Sequence, residues 1–234
     1  MRLPAPKGVL FDAGGTLVQV HTGRLGEALR SRGHEPGDLD DAFWQALVRV
    51  DSEFGMGTEP FAQWFPRWLA RMAVDCGVPE ESFADVWRAA DEAQHLWDHP
   101  LPGAAECLQR LRSAGLRVGV VSNSDGRVAE ALGRARLADL VEIIIDSEVV
   151  GVAKPDPAIF AYALEPLGLA AEETWYLGDT VSYDAAGADA AGLTSWVIDH
   201  WGLHTHDHPR LVRSLTEFTD AALAALSQGR VDDC

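Results

Sequence analysis

The sequence predicts an α/β fold, a doubly wound parallel sheet whose first strand is followed by an all-helical insert. Residues 9–11 form an apolar run that ends at Asp12, as expected for a buried parallel strand. After residue 100, helical segments alternate with short apolar strands, whereas the apolar spacing between about 22 and 98 is helical throughout. Strands that alternate with helices are joined by right-handed crossovers, so they belong to one parallel sheet.

The insert divides the chain into two predicted domains, a core of residues 1–20 and 99–234 and a helical cap domain of residues 21–98. The predicted cap helices span 24–32, 40–54, 61–76 and 82–97, with glycine and proline breakers between them. The insert carries most of the tryptophans of the chain, namely Trp44, Trp64, Trp68, Trp87 and Trp97. We predict that they build a core of the insert's own, with one or two as candidates to line a substrate pocket.

The core domain is predicted from the alternation that follows the insert. Its helices are expected at 103–114, 126–135, 156–167, 182–191 and 216–227. Its strands are expected at 117–122, 141–145, 174–178 and 194–198, each a short apolar run.

Composition excludes several classes of partner. The chain has 234 residues and a net charge of −17, which disfavours nucleic acid and anionic membranes. No apolar run approaches the roughly 18 to 20 residues of a membrane span. Cys76, Cys107 and Cys234 lie far apart without metal-type spacing, which indicates free thiols in a reducing cytoplasm. We therefore expect a cytoplasmic protein, and its oligomeric state, monomer or dimer, stays open.

Polar side chains follow four of the predicted strands. Asp12 follows the first strand, Ser122 and Asn123 the second, Lys154 the third, and Asp179 with Asp184 the fourth. The carboxyl ends of parallel strands meet at one edge of the sheet, where α/β proteins bind ligands. Clustered carboxylates need a cation, and hard oxygen ligands suit Mg²⁺. A lysine, a hydroxyl and the N–H groups of a glycine turn complete a phosphate cradle, in which an aspartate can act as the nucleophile.

Four segments, DAGGTL, VVSNS, AKPDP and GDTVSYD, occur here in the order and spacing that they have in a known family. Through them the chain resembles the haloacid dehalogenase-like (HAD) hydrolase superfamily, in its subgroup with a helical cap after the first motif. The resemblance implies hydrolysis of a small phosphorylated substrate with Mg²⁺ as cofactor. It assigns Asp12 as nucleophile, Lys154 as its partner, and Thr16 a structural role in the turn.

The same resemblance assigns the ligands. Mg²⁺ would be held by Asp12, the carbonyl of Gly14 and Asp179, with Asp184 acting through a water or as an outer ligand. Phosphate would be bound by Ser122, Lys154 and the backbone of Ala13, Gly14 and Asn123.

Gly14 departs from the family pattern, because phosphatases of this family usually carry a second aspartate two residues after the nucleophile. That aspartate is their general acid and base, a contribution worth roughly 10² to 10⁴-fold, or about 3 to 5 kcal/mol. Phosphonoacetaldehyde hydrolases, which have a small residue there, need a cap lysine, and residues 8–153 contain none. The 2-haloacid dehalogenases typically carry tyrosine there and lack the two acids equivalent to Asp179 and Asp184.

Two interpretations remain. The favoured one is a phosphatase that manages general acid and base catalysis without a carboxylate at residue 14. The other is a weakly active or inactive HAD-fold protein that binds phosphorylated metabolites or partners. In a phosphatase, either the leaving group needs no acid, as in acyl or aryl phosphates, or the cap supplies a donor, for which His21 is the nearest candidate. If the leaving group decides, aryl phosphates are turned over far better than alkyl phosphates, and Gly14→Asp narrows the gap.

Some other residues could bind a ligand, but the sequence favours a surface or loop position for them. Arg24 and Arg67 could contact an anionic substrate from the cap, although surface positions are commoner for arginine. The histidines His204, His206 and His208 could bind a transition metal, although a solvated loop is favoured.

Overall fold

In the computed structural model, which describes residues 3–54, 61–203 and 208–232, six strands form one parallel sheet. The strands of the chain are β1 (Gly8–Phe11), β2 (Val18–Gln19), β3 (His99–Pro100), β4 (Arg117–Ser122), β5 (Ile143–Asp146), β6 (Thr174–Gly178), β7 (Thr194–Ile198) and β8 (Leu211–Val212). The order in the sheet is β5-β4-β1-β6-β7-β8, so the first strand lies in the middle. The short strands β2 and β3 pair antiparallel at the two ends of the insert.

Helices cover both faces of the sheet. They are α1 (Thr22–Ser31), α2 (Leu39–Phe54), α3 (Phe61–Asp75), α4 (Glu80–Ala93), α5 (Ala104–Ser113), α6 (Val128–Arg134), α7 (Ser147–Val150), α8 (Ala158–Leu167), α9 (Ala186–Ala190) and α10 (Leu215–Asp232). The first four follow one another between β2 and β3, and we call Thr22–Ala93 the helical insert. The predicted fold class, a doubly wound parallel sheet, is confirmed.

The central strand β1 carries apolar side chains on both faces of the sheet. In β1, Val9 and Phe11 face one side and pack with α5 and α10, while Leu10 faces the other side and packs with α8. All three side chains are fully buried, which explains their continuous apolar run. The same alternation recurs in β6, where Tyr176 shares the side of Leu10.

The predicted separate core of the insert is not observed. Its buried residues, among them Leu29, Phe43 and Trp68, belong to one continuous apolar cluster with Val9 and Phe11 of the sheet. The cluster is continuous because the segment that joins β1 to the insert is itself apolar and buried. The insert is therefore a continuation of the core on the Val9 and Phe11 side of the sheet, without a separate core of its own.

Three predicted helices differ from the observed ones by a turn or more. The C-terminal helix, predicted at 216–227, is longer and spans Leu215–Asp232. The last helix of the insert ends at Ala93 rather than at 97, because Gln94 is extended and the Asp91 carboxylate accepts the N–H of Leu96 at 2.7 Å. The predicted helix 182–191 is instead a single π-helical turn, Val181–Ala185, followed by α9. In that turn the Thr180 hydroxyl caps the first residues by accepting the N–H of Asp184.

Other predictions concern the surface and the thiols. No helix among the described residues is long and apolar enough to cross a bilayer. Cys76 and Cys107 are buried and not disulfide-bonded, and Cys234 lies outside the described residues. His204 and His206 also lie outside them, while His208 contacts the Ser195 hydroxyl at 3.1 Å, in keeping with a structural role.

Candidate active site

The sheet register brings the strand-end residues together. Phe11 pairs with Val120 on one side and with Leu177 on the other, so the residues that follow these three leave the sheet side by side. Asp12 follows Phe11 directly and donates its N–H to the Leu177 carbonyl at 2.9 Å. Ser122 lies two residues after Val120 and Asp179 two residues after Leu177, which places both at the same edge.

Lys154 lies at the centre of this group. Its ammonium donates to Asp12 Oδ1 at 2.6 Å, to Asp184 Oδ1 at 2.6 Å and to the Tyr176 hydroxyl at 2.8 Å, so its three N–H donors are all used. The side chain is only 2% exposed. The Tyr176 hydroxyl in turn lies 3.0 Å from the Val121 carbonyl. Sequence reasoning did not find Tyr176, because it reads as an ordinary strand residue.

Asn123 positions the loop that carries Lys154. Its side-chain amide donates to the Lys154 carbonyl at 2.9 Å, and its side-chain oxygen accepts the Lys154 N–H at 2.7 Å. The sequence interpretation used only the backbone of Asn123, so this double contact is an addition. It ties the end of β4 to the segment after β5.

The Asp184 carboxylate has little capacity left for a metal. Its Oδ1 contacts Lys154 and also lies 2.8 Å from the Tyr176 hydroxyl. Its Oδ2 accepts the Thr180 N–H at 3.0 Å and the Thr180 hydroxyl at 2.6 Å. A carboxylate offers about four acceptor positions, and these contacts occupy them. This arrangement favours a role for Asp184 as an outer ligand.

The Asp179 carboxylate is in the opposite situation, since no described residue donates a hydrogen bond to it. One oxygen from each of Asp12, Asp179 and Asp184 lies within 4.8 Å of the others, and all three residues are buried. Three ionised carboxylates and one ammonium leave two negative charges in excess, which one divalent cation would neutralise. A small all-oxygen set that leaves room for water fits Mg²⁺.

The pKa values of the cluster follow from this excess of negative charge. Burial, opposed by Lys154 and reinforced by Asp184, raises the pKa of Asp12 from 3.8 to about 6. Burial and the neighbouring carboxylates raise the pKa of Asp179 well above its ordinary value. Burial also acts on Asp184, but Lys154 outweighs it and lowers the pKa of that carboxyl. Lys154 stays charged, because the attraction of Asp12 and Asp184 overcomes its burial and raises its pKa.

The turn after Asp12 is held by its backbone. Gly15 donates to the Val18 carbonyl at 2.7 Å, and the Ala13 carbonyl accepts the N–H groups of Leu17 and Val18. Gly15 has a φ of 74°, and a Cβ there would lie 2.0 Å from Asp179, so this position requires glycine. The Thr16 hydroxyl is buried and has no hydrogen-bond partner among the described residues. The predicted support of the turn by Thr16 therefore does not come from its hydroxyl.

Gly14 is glycine for a different reason. A Cβ at this position would lie 3.0 Å from the six-membered ring of Trp97, tighter than an ordinary contact. Trp97 is fixed in turn by ring contacts to Phe43 and Trp68, with centroids 5.6 and 5.5 Å away. The space that a second aspartate of the first motif would need is thus filled by a tryptophan of the chain that leaves the insert.

A cavity of about 610 Å³ lies over these groups, between the sheet edge and the insert. Asp12, Ser122, Lys154 and Asp179 form one end of it. Its body is largely apolar and aromatic, and includes Leu47, Trp64, Phe65, Leu69, Trp87 and Trp97. Three of the five tryptophans of the predicted cap domain, residues 21–98, therefore line the cavity, whereas the sequence suggested one or two.

The cap residues singled out in the sequence lie elsewhere. His21 caps α1 by accepting the Arg24 N–H at 3.3 Å, and its ring packs on that of His99, so it is not the cap donor. The Arg24 guanidinium is engaged by Asp98 at 2.5 and 3.0 Å and by the His95 carbonyl at 2.6 Å. Arg67 is exposed on α3.

The polar wall of the cavity includes residues that sequence reasoning missed. His95, Asp91 and Arg127 all line it. The His95 Nδ1 lies 3.1 Å from Asp91, and the Arg127 guanidinium donates to Asp91 at 2.5 Å and to Asp125 at 2.6 Å. The sequence does indicate a contact between Asp91 and His95, because they are four residues apart. The predicted helix 82–97, however, does not include the end of α4 that lies between them.

Two contacts hold the insert over the sheet edge. One is the Asp91–Arg127 ion pair, which joins α4 to the segment after β4. The other is Asp51 of α2, which is fully buried and accepts the N–H groups of Val181 and Ser182 at 2.9 and 3.1 Å. Ser182 also donates its hydroxyl to Asp51. A carboxylate of the insert therefore caps the turn that presents Asp184.

This fold is that of a known family. The sequence pattern of the haloacid dehalogenase-like hydrolases matches residues 6–192, and the chain belongs to that family.

Individual relatives cover nearly the whole chain. Phosphatase MT3486 of Mycobacterium tuberculosis is 32% identical over 219 residues, which are 92% of this chain and 97% of that protein. Glyceraldehyde 3-phosphate phosphatase of Pyrococcus abyssi is 30% identical over 81% of this chain and 80% of its own. A HAD family hydrolase from Deinococcus radiodurans, solved with bound phosphate and sodium, superimposes with a TM-score of 0.62 at 29% identity, over 94% of this chain and 96% of that one.

Proposed function

We propose that this hydrolase is a Mg²⁺-dependent phosphatase that acts on a small phosphorylated metabolite through an aspartyl-phosphate on Asp12. The observation that carries the proposal is the buried group of Asp12, Asp179, Asp184 and Lys154 at one end of the cavity between the sheet edge and the insert. Two of its relatives are named as phosphatases, which agrees with this assignment. The helical insert, in the proposed domain 21–98, acts as the cap that excludes water.

Each group has a defined task in this proposal. Asp12, Asp179 and the carbonyl of Gly14 would hold the metal. Asp184 would stay outside the first coordination sphere, because the oxygens of its carboxylate already accept other hydrogen bonds. The metal neutralises charge on the carboxylates and on the phosphoryl oxygens. The Ser122 hydroxyl and the backbone N–H groups of the turn after Asp12 bind the phosphoryl group. Lys154 holds the Asp12 carboxylate in place and keeps it ionised.

The cavity narrows the substrate class. Its wall beyond the phosphate end is formed by rings and aliphatic side chains such as Trp64, Trp87 and Leu47. Burial of apolar surface against such a wall contributes roughly 25 cal/mol per Å². We therefore infer a phosphate ester whose organic part carries an apolar or aromatic group. A cytoplasmic location belongs to the same proposal, since buried thiols such as Cys76 persist in reducing conditions.

The alternative is a protein that binds phosphorylated metabolites without turnover, and the missing carboxylate at Gly14 favours it. A panel of phosphate esters, assayed with and without Mg²⁺ on the wild type and on Asp12→Asn, separates the two. A phosphatase hydrolyses at least one ester only with Mg²⁺ and only with Asp12 intact. Binding of esters without release of phosphate would support the alternative.

Mg²⁺ should stabilise the protein more at about pH 7.5 than at about pH 5. The pKa of Asp12 rises from 3.8 in the unfolded chain to about 6 in the metal-free fold. Its contribution to stability is therefore present below the lower value and lost as the pH rises through the upper one. Mg²⁺ competes with that proton and adds most once Asp12 is ionised. At about 100 times its Kd it should add about 2.7 kcal/mol.

The measurement is the thermal unfolding midpoint with and without Mg²⁺ at both pH values. Asp179→Asn is the control, because it removes a proposed ligand and should abolish most of the shift. An equal shift at both pH values, or a full shift in the control, would contradict the assignment of the site.

Gly14→Asp should not by itself restore fast hydrolysis of alkyl phosphates. The new Cβ would meet the Trp97 ring at 3.0 Å, and overpacking of this kind costs roughly 1 to 3 kcal/mol. We expect lower stability and little gain in kcat/KM. Gly14→Asp combined with Trp97→Leu opens the space and should raise kcat/KM for an alkyl phosphate above that of either single variant. A full gain in the single variant would mean that Trp97 does not restrict this position.

A further inference from the structure

Within the proposed phosphatase, some group must handle the proton that a carboxylate at residue 14 would handle. His95 is the histidine of the cavity wall, and its side chain is only 5% exposed. Its Nδ1 lies 3.1 Å from Asp91. Among the described residues, no group forms a hydrogen bond to its Nε2. One ring nitrogen is therefore held by a carboxylate, and the other has no hydrogen-bond partner among the described residues.

Asp91 is well placed to orient this ring. It also accepts the Leu96 N–H at 2.7 Å and the Arg127 guanidinium at 2.5 Å, so three donors fix its position. Burial alone would raise the pKa of Asp91, but the hydrogen bonds from His95 and Arg127 outweigh it and hold the pKa below its usual range. Asp91 therefore remains a carboxylate and keeps the proton of the imidazole on Nδ1.

The charged groups around His95 are of both signs. Asp91 of α4 faces its Nδ1, and the Arg127 guanidinium lies behind Asp91 with Asp125 on its other side. The Arg24 guanidinium contacts the backbone carbonyl of His95.

The segment of His95 is also the segment that fills the space at Gly14. Trp97, two residues later, is the ring that a Cβ at Gly14 would meet. The chain that excludes a second aspartate from the first motif thus also brings a histidine and its carboxylate partner to the cavity. We propose that His95, oriented by Asp91, is the general acid and base of the reaction in place of a carboxylate at residue 14.

Protons and electrons balance over the two steps. First, an Asp12 oxygen attacks phosphorus, the bond from phosphorus to the ester oxygen breaks, and that oxygen keeps the electron pair and takes a proton from Nε2 of the imidazolium. The alcohol leaves and His95 is neutral. Second, water attacks the phosphorus of the aspartyl-phosphate and gives its proton to Nε2. The bond to Asp12 breaks, inorganic phosphate leaves, and the carboxylate and the imidazolium are restored.

Two aromatic esters of similar size separate this role from a structural one. The leaving group of 4-nitrophenyl phosphate departs without a proton, whereas that of benzyl phosphate needs one. kcat/KM reports the steps up to release of the alcohol. His95→Asn keeps a donor for Asp91 but loses the acid, so kcat/KM for benzyl phosphate should fall about 10²-fold or more, and that for 4-nitrophenyl phosphate by less than about threefold.

The second step gives an independent readout. Because water still needs a base, kcat for 4-nitrophenyl phosphate should fall in His95→Asn even though kcat/KM does not. Added imidazole should restore part of both losses in His95→Ala. His95→Gln serves in place of His95→Asn if the latter does not fold. His34→Asn, in the loop between α1 and α2, is the matched control and should change neither ester.

Equal losses of kcat/KM for the two esters, or no loss for benzyl phosphate, would overturn the inference and leave the proposed function standing. No hydrolysis of either ester, or of any other in the panel, by the wild type would overturn the proposed function and the inference with it. Asp91→Asn should reproduce the pattern of His95→Asn in weaker form.

Discussion

Replacing Asp12 with asparagine should abolish phosphate ester hydrolysis while the fold is retained. The amide oxygen of the new side chain could still accept the Lys154 ammonium, but an amide cannot form the acyl phosphate. Loss of a covalent nucleophile lowers kcat by about 10⁴-fold or more in other hydrolases. Without metal, the free energy of unfolding of Asp12→Asn should equal or exceed that of the wild type, because the change removes one of three neighbouring buried carboxylates. The measurements are kcat on the best ester of the panel and the thermal midpoint of the metal-free protein.

The matched control for this variant is Asp139→Asn, an exposed aspartate remote from the site. It should change neither quantity. Retention of more than about one tenth of the wild-type kcat in Asp12→Asn would rule out Asp12 as the nucleophile. A large loss of stability together with activity would mean that Asp12 is structural, and that the inactivity follows from unfolding.

Replacing Lys154 with methionine should cost both activity and stability. The ammonium lies 2.6 Å from both Asp12 and Asp184, and all of these groups are buried. Removal of one partner from a buried ion pair leaves uncompensated charge and costs about 3 to 5 kcal/mol. Lys154→Met should therefore lower the free energy of unfolding by about this amount near neutral pH, as measured by urea denaturation.

The loss of stability in Lys154→Met should be smaller at acidic pH. Without Lys154, the pKa of Asp12 rises further above its ordinary value, and the pKa of Asp184, which Lys154 holds below its ordinary value, rises as well. Protonation then favours the folded state below those pKa values, and the penalty grows as the pH rises through them. Lys7→Met is the matched control, because Lys7 forms an exposed pair with Glu173 that is worth about 0 to 1 kcal/mol. Equal losses in the two variants, or a Lys154→Met loss independent of pH, would contradict the assigned charge balance.

The positions of the strand-end residues could be predicted because they depend on topology alone. Once the strands are parallel, Asp12, Ser122 and Asp179 must leave the sheet at one edge, whatever their side-chain contacts. Lys154 and Asp184 follow from the same rule with the help of the family motifs. Strand order and motif order together were therefore enough to bring five residues, far apart in sequence, to one site.

The contacts that tune the site depend on packing across the chain, and the sequence pattern does not contain them. Tyr176 looks like one more apolar strand residue, and only the fold places its hydroxyl on Lys154. The role of Trp97 at Gly14 depends on where the insert re-enters the core. The role of His95 cannot be predicted from the sequence, because the helical periodicity continues past Ala93. In the structure the Asp91 side chain accepts the Leu96 N–H, and α4 ends at Ala93. Proximity in sequence favours His21 as a donor, whereas the structure assigns it to a helix cap.

The most direct measurement is a rapid-quench reaction of the wild type with 4-nitrophenyl phosphate and Mg²⁺, followed by mass spectrometry of the peptide that contains Asp12. Because nitrophenolate departs without a proton whereas the attacking water must lose one, formation of the aspartyl-phosphate should be fast relative to its breakdown. We predict a burst of nitrophenol of about one equivalent per enzyme and a phosphoryl group on Asp12, both absent in Asp12→Asn. Steady turnover by the wild type with no burst and no phosphoryl group on Asp12, or turnover unchanged in Asp12→Asn, would contradict the account.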